Sequence, residues 1–521
     1  MVRFKKRWSR HSISLLKIPP KLIIATFLFV AFFSIFLAQN HNIFNTYAWD
    51  LGIFDQVLWS TLHGRPFYYT LEPFWSQYNN FLATHFSPIL VLVLPFYALY
   101  PKPETLFVVH SVIIALGAIV AYKLSQLVLK NDKHALIFSM LYLLNPLVVG
   151  QAFSSLHLED FFMTSMMFTI YFFIKRDWWK YFFCLALTLM TIEYAAIPLI
   201  FFGITMLLMI NKWGSPSWGV KFLIPLITIV SSLLYFALAQ HMRLTLGLIE
   251  VNIHQEWRIL GANSIVEVPL KIIENPIAAL NALSYDFFYK IWYLLMIFAP
   301  VLFLPLLKPT YLLPTLPWLV IALFSNYPAY YVIFTYYPAF VAPYIFLATI
   351  YGFRKITKSK KPKIVNLKKL LSLTMLITII LFSFMTISRI EPMSRLSGAN
   401  FQHVTKLHGI LGLVPDNASI LAQDNIFPHV SGRFEAYTIP SPIWEGFSSI
   451  ATEMLNITLE KKPEYILIDL KTDNLYSRAM GELILETLSK SKELPYGIFA
   501  EHDEIYLFKF NYTGLPLISS P

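Results

Sequence analysis

Over most of the chain, polar positions are confined to short breaks between long apolar runs, and only beyond about residue 388 does the pattern change to short mixed segments. A helix needs about 20 mainly apolar residues to cross the hydrocarbon layer of a membrane. Runs at 21–39, 104–129, 135–153, 160–174, 181–193, 195–211, 221–240, 290–307, 311–324, 332–352 and 370–388 predict 11 spans. Two places are marginal in length: 181–211, split at Glu193 into two short helices, and 311–324. The stretch 87–100, SPILVLVLPFYALY, is too short for a routine crossing and reads as a re-entrant or interfacial segment. After 388 come strand-like runs, ASILAQ (418–423) and EYILIDL (464–470), with a helical-looking ATEMLNITLEK between them. The expected architecture is an all-α polytopic membrane domain over 1–388, with a large first loop at 39–103, followed by a soluble α/β domain over 389–521. That tail has an ordinary domain size.

Composition rules out a single water-exposed globule: 56% of residues are hydrophobic and 14% charged, where soluble domains carry about 25% charged residues. The net charge of +11 is unevenly placed, with the tail from 388 at −5 and the rest at +16. Lys130 and Lys133, Lys175 to Lys180, Lys212 and Lys221, Lys308, and the run from Arg354 to Lys369 all fall on one side if the spans alternate. The basic N-terminus, with Arg3, Lys5, Lys6, Arg7, Arg10 and Lys17, joins them. By the positive-inside rule that side is cytoplasmic, so the charge argues orientation and not nucleic-acid binding. The first run is long and is followed by Gln39 and Asn40 instead of a small-residue cleavage site, which favours a retained anchor. An odd number of spans puts the tail outside, and the three Asn-x-Ser/Thr sequons, at Asn417, Asn456 and Asn511, all lie in it. One cysteine, Cys184, excludes an intramolecular disulfide and a cysteine metal cluster.

Carboxylates at membrane level cost about 2.5–3.5 kcal/mol at a helix centre, so each is a functional candidate. The richest cluster is YAWDLGIFDQVLWSTLHGRPFYY, Tyr47 to Tyr69, which reads as a helix from about Leu51 with Asp50 as N-cap and Gly64 as the stop. Asp50 and Asp55 stand about 140° apart around a helix and should have different roles. The bland readings are a cap for Asp50 and a solvated loop acid for Asp55. His85 precedes the re-entrant segment, where a lone His is more often an interfacial hydrogen-bonder than a ligand. His157 and Glu159 follow the third span and are too few for a strong metal signal; a polar turn is the equal alternative. Glu193 stands alone between apolar halves, where a turn residue would reach headgroup water. All six reach the outer face under the same topology, so they can converge on one interfacial cavity with a carboxylate as general base.

An acid at the outer end of the first span, a helix ending in Gly64 and the His85 to Pro88 element together resemble the GT-C superfamily of membrane glycosyltransferases. Leu51 stands where that family usually has a second acid, and one proline of its His-Pro-Pro element is replaced. A closer resemblance is to a prokaryotic, largely archaeal family of multi-pass membrane proteins classified as a domain of unknown function and related to GT-C. It rests on AWDLGIFDQ (48–56), HFSP (85–88), LHLE (156–159) and TIEY (191–194), and on VPDNASILAQDNIFPHVSGRFEAYTIP (414–440) and PEYILIDL (463–470) in the tail. TIEY lacks the Lys and Asp that flank the family's Glu, so Glu193 is the weakest carry-over. The resemblance implies a GT-C-like fold and inverting transfer of a sugar from a polyprenyl-phosphate donor to a glycan, lipid or protein acceptor at the outer face. It implies Asp50 and Asp55 as catalytic, and Gln56, His85, His157, Glu159 and Glu193 as binders of acceptor, phosphate or a divalent cation. The competing readings are a non-catalytic carrier or flippase for lipid-linked saccharides and a structural envelope protein. Transport predicts mid-membrane charges and internal repeats, and neither is visible in the chain.

Overall fold

The computed structural model describes residues 18–212, 218–250, 255–358, 366–394, 398–439, 447–490 and 495–517. The basic residues up to Lys17, and Lys360, Lys361 and Lys363, lie outside them. Among the described residues four helices, Pro20–Asn42, Pro103–Leu129, Gly219–Thr245 and Leu367–Ile390, are each long and apolar enough to cross a membrane. Asp132–Leu144 and Pro146–Ala152 qualify as one broken pair, bent by 46°. Pro146 has no N–H to continue the helix, and the Asn145 side chain instead accepts from the Leu147 N–H at 3.0 Å.

The other expected crossings are shorter helices: Leu158–Lys175, Trp178–Leu189, Ala196–Leu208, Phe287–Phe298, Leu316–Leu323 and Ala342–Thr357. Proline causes much of this fragmentation. Pro300, Pro305, Pro309 and Pro314 break 299–315 into three 3-10 pieces. The stretch 87–100 holds only a 3-10 turn, Pro88–Leu92, and a single helical turn, Leu94–Tyr97, neither of crossing length.

Pro103–Leu129 is the central helix, with 61% of its apolar window buried against 28% for the first span. It packs on Pro20–Asn42, Asp132–Leu144 and Leu158–Lys175. Phe27, Leu234, Phe288 and Phe384 point outward and exposed; such a surface suits lipid, since a soluble protein would expose it only at an interaction site.

The tail forms a five-stranded sheet: β1 (Ile420–Ala422), β2 (Ala436–Tyr437), β3 (Tyr465–Asp469), β4 (Tyr496–His502) and β5 (Ile505–Phe510), in the order β2-β1-β3-β5-β4. β1 pairs parallel with β2 and β3, while β5 runs antiparallel to β3 and β4. Both strand-like runs read from the sequence, 418–423 and 464–470, contain strands, and the helical run lies in Phe447–Glu460. Alternation along the strands gives the sheet two apolar faces. Ile420, Ala422, Tyr465 and Leu467 join the core that continues into the membrane helices. Leu421, Ile466 and Ile468 join a separate cluster with Leu455 and Met480 of the flanking helices.

Candidate functional site

Asp50 is not an N-cap. It lies inside a π turn, Ala48–Gly52, closed by the Gly52 N–H on the Tyr47 carbonyl at 3.2 Å, and the regular helix Ile53–Leu62 starts only after it. Its side chain makes no bond to that helix's amides; the wider turn carries it instead toward His157, whose Nε2 lies 3.0 Å from Asp50 Oδ1. π turns of this kind recur at functional sites. The helix ends as expected at Leu62, with Gly64 following at φ +86, a backbone angle that suits glycine.

His157 is fixed on every side. Its Nδ1 lies 2.8 Å from the Ser155 carbonyl and its N–H donates to Asp160 Oδ2 at 2.8 Å. The ring stacks on Tyr336 with centroids 3.6 Å apart. Asp160 is held in turn by Gln151 Nε2 and His110 Nδ1, both at 2.6 Å. Both His157 nitrogens face oxygens that accept, the Ser155 carbonyl and the Asp50 carboxylate, so both must carry protons and the ring is an imidazolium. Burial works against that charge, but the Asp50 charge and hydrogen bond more than offset it, and the pKa is raised to about 9. The His157 side chain is 6% exposed while that of Asp50 is 42% exposed. The buried cation thus holds an open carboxylate.

A second cluster has the same design. Glu193, fully buried, accepts from the Phe86 N–H at 3.0 Å and lies 3.3 Å from His85 Nδ1 and 3.5 Å from Arg243 Nη1. The HFSP element is therefore clamped onto the TIEY turn. Burial alone would lower the His85 pKa; the hydrogen bond and charge of Glu193 more than compensate and raise it. His85 remains 40% exposed, so an imidazole whose protonated form is favoured is again presented from a buried support. Glu159, buried beside His157, is within electrostatic reach of both His157 and His85. Asp50 with His157 and His85 with Glu193 are thus two pairs, with Glu159 electrostatically between them.

Asp55 and Gln56 do not join them. Asp55 is enclosed, accepting from Tyr97 Oη and Ser431 Oγ, both at 2.6 Å. Burial, only partly offset by those bonds, raises its pKa to about 6. Gln56 Oε1 accepts from the Thr70 N–H at 2.9 Å, and its Nε2 donates to the Arg433 carbonyl at 3.2 Å. Asp55 Oδ2 and Gln56 Nε2 turn to the tail, at Ser431 and the Arg433 carbonyl, while Tyr97 and Thr70 take Asp55 Oδ1 and Gln56 Oε1. Gly52 belongs to the same contact: a Cβ there would lie 2.6 Å from the Phe427 ring.

Sequence reading missed Arg243, Asp160, His110 and Tyr336. Arg243 carried a signal, since under the expected topology it is a cation at the outer end of a span, against the positive-inside pattern. Tyr336 sits in the tyrosine-rich run 327–337, which a search for acids and histidines passes over. Among the described residues no three His, Cys, Asp or Glu side chains assemble as a metal site.

Residues 40–507 match the family of predicted membrane proteins DUF2079. The chain belongs to this family. The DUF2079 match spans the π turn, both clamped histidines and nearly all of the tail sheet. No curated protein matches the chain. Among solved structures it is similar to ArnT from Cupriavidus metallidurans bound to undecaprenyl phosphate, at 10% identity over 96% of this chain and 99% of that one, with a TM-score of 0.49.

Proposed function

We propose that this DUF2079 chain is an integral membrane glycosyltransferase that moves a sugar from a polyprenyl-phosphate donor to an envelope acceptor at the face opposite its basic loops. The observation that carries the reading is the half-open Asp50 carboxylate, held by buried His157, whose neighbour Glu159 lies within electrostatic reach of the half-open His85. Glycosyl transfer from a lipid phosphate needs those two things: a base for the acceptor hydroxyl and positive charge for the departing phosphate.

In the proposed step the acceptor oxygen attacks the anomeric carbon from the face opposite the phosphate. The new C–O bond forms as the bond to the phosphate oxygen breaks, and its electron pair leaves on the phosphate. The hydroxyl proton passes to Asp50 Oδ2, since Oδ1 faces His157. His85, with Nδ1 toward Glu193, offers Nε2 to the leaving phosphate. Glu193, His157, Asp160 and Arg243 act as positioning residues, and Glu159 adds negative charge between the two imidazoles. Asp55 and Gln56 anchor the tail over the π turn.

The test is incubation of the purified protein with radiolabelled polyprenyl-phosphate sugars and envelope acceptors, comparing wild type with Asp50→Asn. Transfer that drops about 10²–10⁴-fold in the variant, the usual contribution of a general base, supports the reading. No transfer with any donor, or undiminished transfer by the variant, overturns it.

A further inference from the structure

A cavity of about 700 Å³ lies at the other end of the helices that carry the candidate site. The Leu158–Lys175 helix begins at His157 and ends at Arg176, which lines the cavity. Ala196–Leu208 follows Glu193 and leads to Met209 and Lys212; Ala342–Thr357 follows Tyr336 and leads to Arg354, Lys355 and Lys358. At 1.5 Å per residue the first of these helices separates the two places by about 27 Å, close to the thickness of the hydrocarbon layer. The cavity belongs to the opposite membrane face.

Its chemistry is one-sided. Seven Lys and Arg side chains line it, Lys221 and Lys308 among them, and among the described residues no Asp or Glu does. Nearby Asp177 is paired with Lys180 at 3.2 Å. The deeper wall is apolar, formed by Phe202, Met206, Ile224 and Leu347, all buried. Just outside, Leu208, Phe222 and Leu223 are exposed where the two helices flanking the cavity meet lipid. Lys308 lies in the break between 3-10 pieces, and its pKa is lowered by burial and by Lys355, Lys212 and Arg354. Gathering like charges in a partly enclosed space costs free energy unless an anion completes it.

We propose that this pocket binds the net-anionic, phosphate-bearing headgroup of a membrane lipid, with the cations around the phosphate and the chains leaving along the apolar wall. Basic pockets between helices at a membrane face bind anionic headgroups in this way, and the volume is that of a small-ligand site. A soluble phosphate would share the cation set but leave the apolar wall without a use.

Native mass spectrometry of the full-length protein, presented in turn with phosphatidic acid, phosphatidylcholine and inorganic phosphate, decides the matter. Phosphatidic acid should be retained in preference to phosphatidylcholine, and inorganic phosphate should not displace it. Lys308→Gln with Arg354→Gln should weaken phosphatidic acid binding about 30-fold, from the contribution expected of two cations at a membrane surface, while Lys368→Gln, outside the pocket, should not. Equal retention of the two lipids by the unaltered protein overturns the proposal without recourse to any variant. Full displacement by inorganic phosphate overturns the lipid as the ligand, and unchanged binding in the double variant overturns the location.

Discussion

Replacing Asp50 by asparagine removes the counter-charge of a buried imidazolium, and the effect on stability has a defined pH window. The folded His157 pKa, about 9, stands above its ordinary value of 6.5. A histidine raised on folding contributes stability that is fully present below 6.5 and is lost as pH rises through 9. At about 1.4 kcal/mol per pH unit the whole interval is worth about 3 kcal/mol. Asp50 is 42% exposed, and solvent screening reduces this to about 1–2 kcal/mol. A per-residue unfolding entropy of about 2.1 cal/mol/K, applied to the chain's 521 residues, converts that into a shift of about 1–2 °C. Melting of wild type and Asp50→Asn in the same detergent from pH 6 to 10 should show the wild type ahead by that amount at pH 6 and level with the variant above pH 9. A gap that stays constant across the range would show that His157 and Asp50 are not a charged pair and would refute the reasoning.

Three further outcomes follow from the same geometry. Glu193→Gln strips charge from a buried group holding His85 and Arg243; breaking a buried pair costs about 3–5 kcal/mol, the lower end applying because His85 is 40% exposed, and denaturant or thermal unfolding reads the loss. Asp55→Asn acts in the same pH sense but in a lower window: a carboxyl raised from 3.8 to about 6 contributes stability that is present below 3.8 and lost as pH rises through 6, so the variant should gain on wild type by about 3 kcal/mol between pH 4 and pH 7, as melting at the two ends would show. Gly150→Ala places a Cβ 1.9 Å from the Ile333 carbonyl oxygen, a backbone clash costing about 1–3 kcal/mol or more, visible as a lowered melting temperature.

The membrane class and the strands of the tail were legible because each is written in local pattern: long apolar runs for the first, short β-like runs for the second. Span continuity was not, because proline at 300, 305, 309 and 314 breaks an apolar run that hydropathy alone joins. The pairings of His157 with Asp50 and of His85 with Glu193 join residues that the expected topology placed at turns on one face, although the same topology placed Asp55 there as well. Two assignments needed coordinates. Asp50 looked like a cap because a π turn has no sequence sign of its own, and Asp55 looked catalytic and Gln56 looked like a substrate binder because their partners, Ser431, Arg433 and Thr70, lie on segments remote in sequence or on the far side of a loop.

The central claim is that Asp50, and not its neighbour Asp55, serves the reacting centre. Initial rates of radiolabelled sugar transfer from a polyprenyl-phosphate donor, measured for wild type, Asp50→Asn and Asp55→Asn at matched folded concentration, test it most directly. The account predicts a loss of about 10²–10⁴-fold for Asp50→Asn and a rate within a few-fold of wild type for Asp55→Asn. The reverse order, with Asp55→Asn inactive and Asp50→Asn unimpaired, would contradict it.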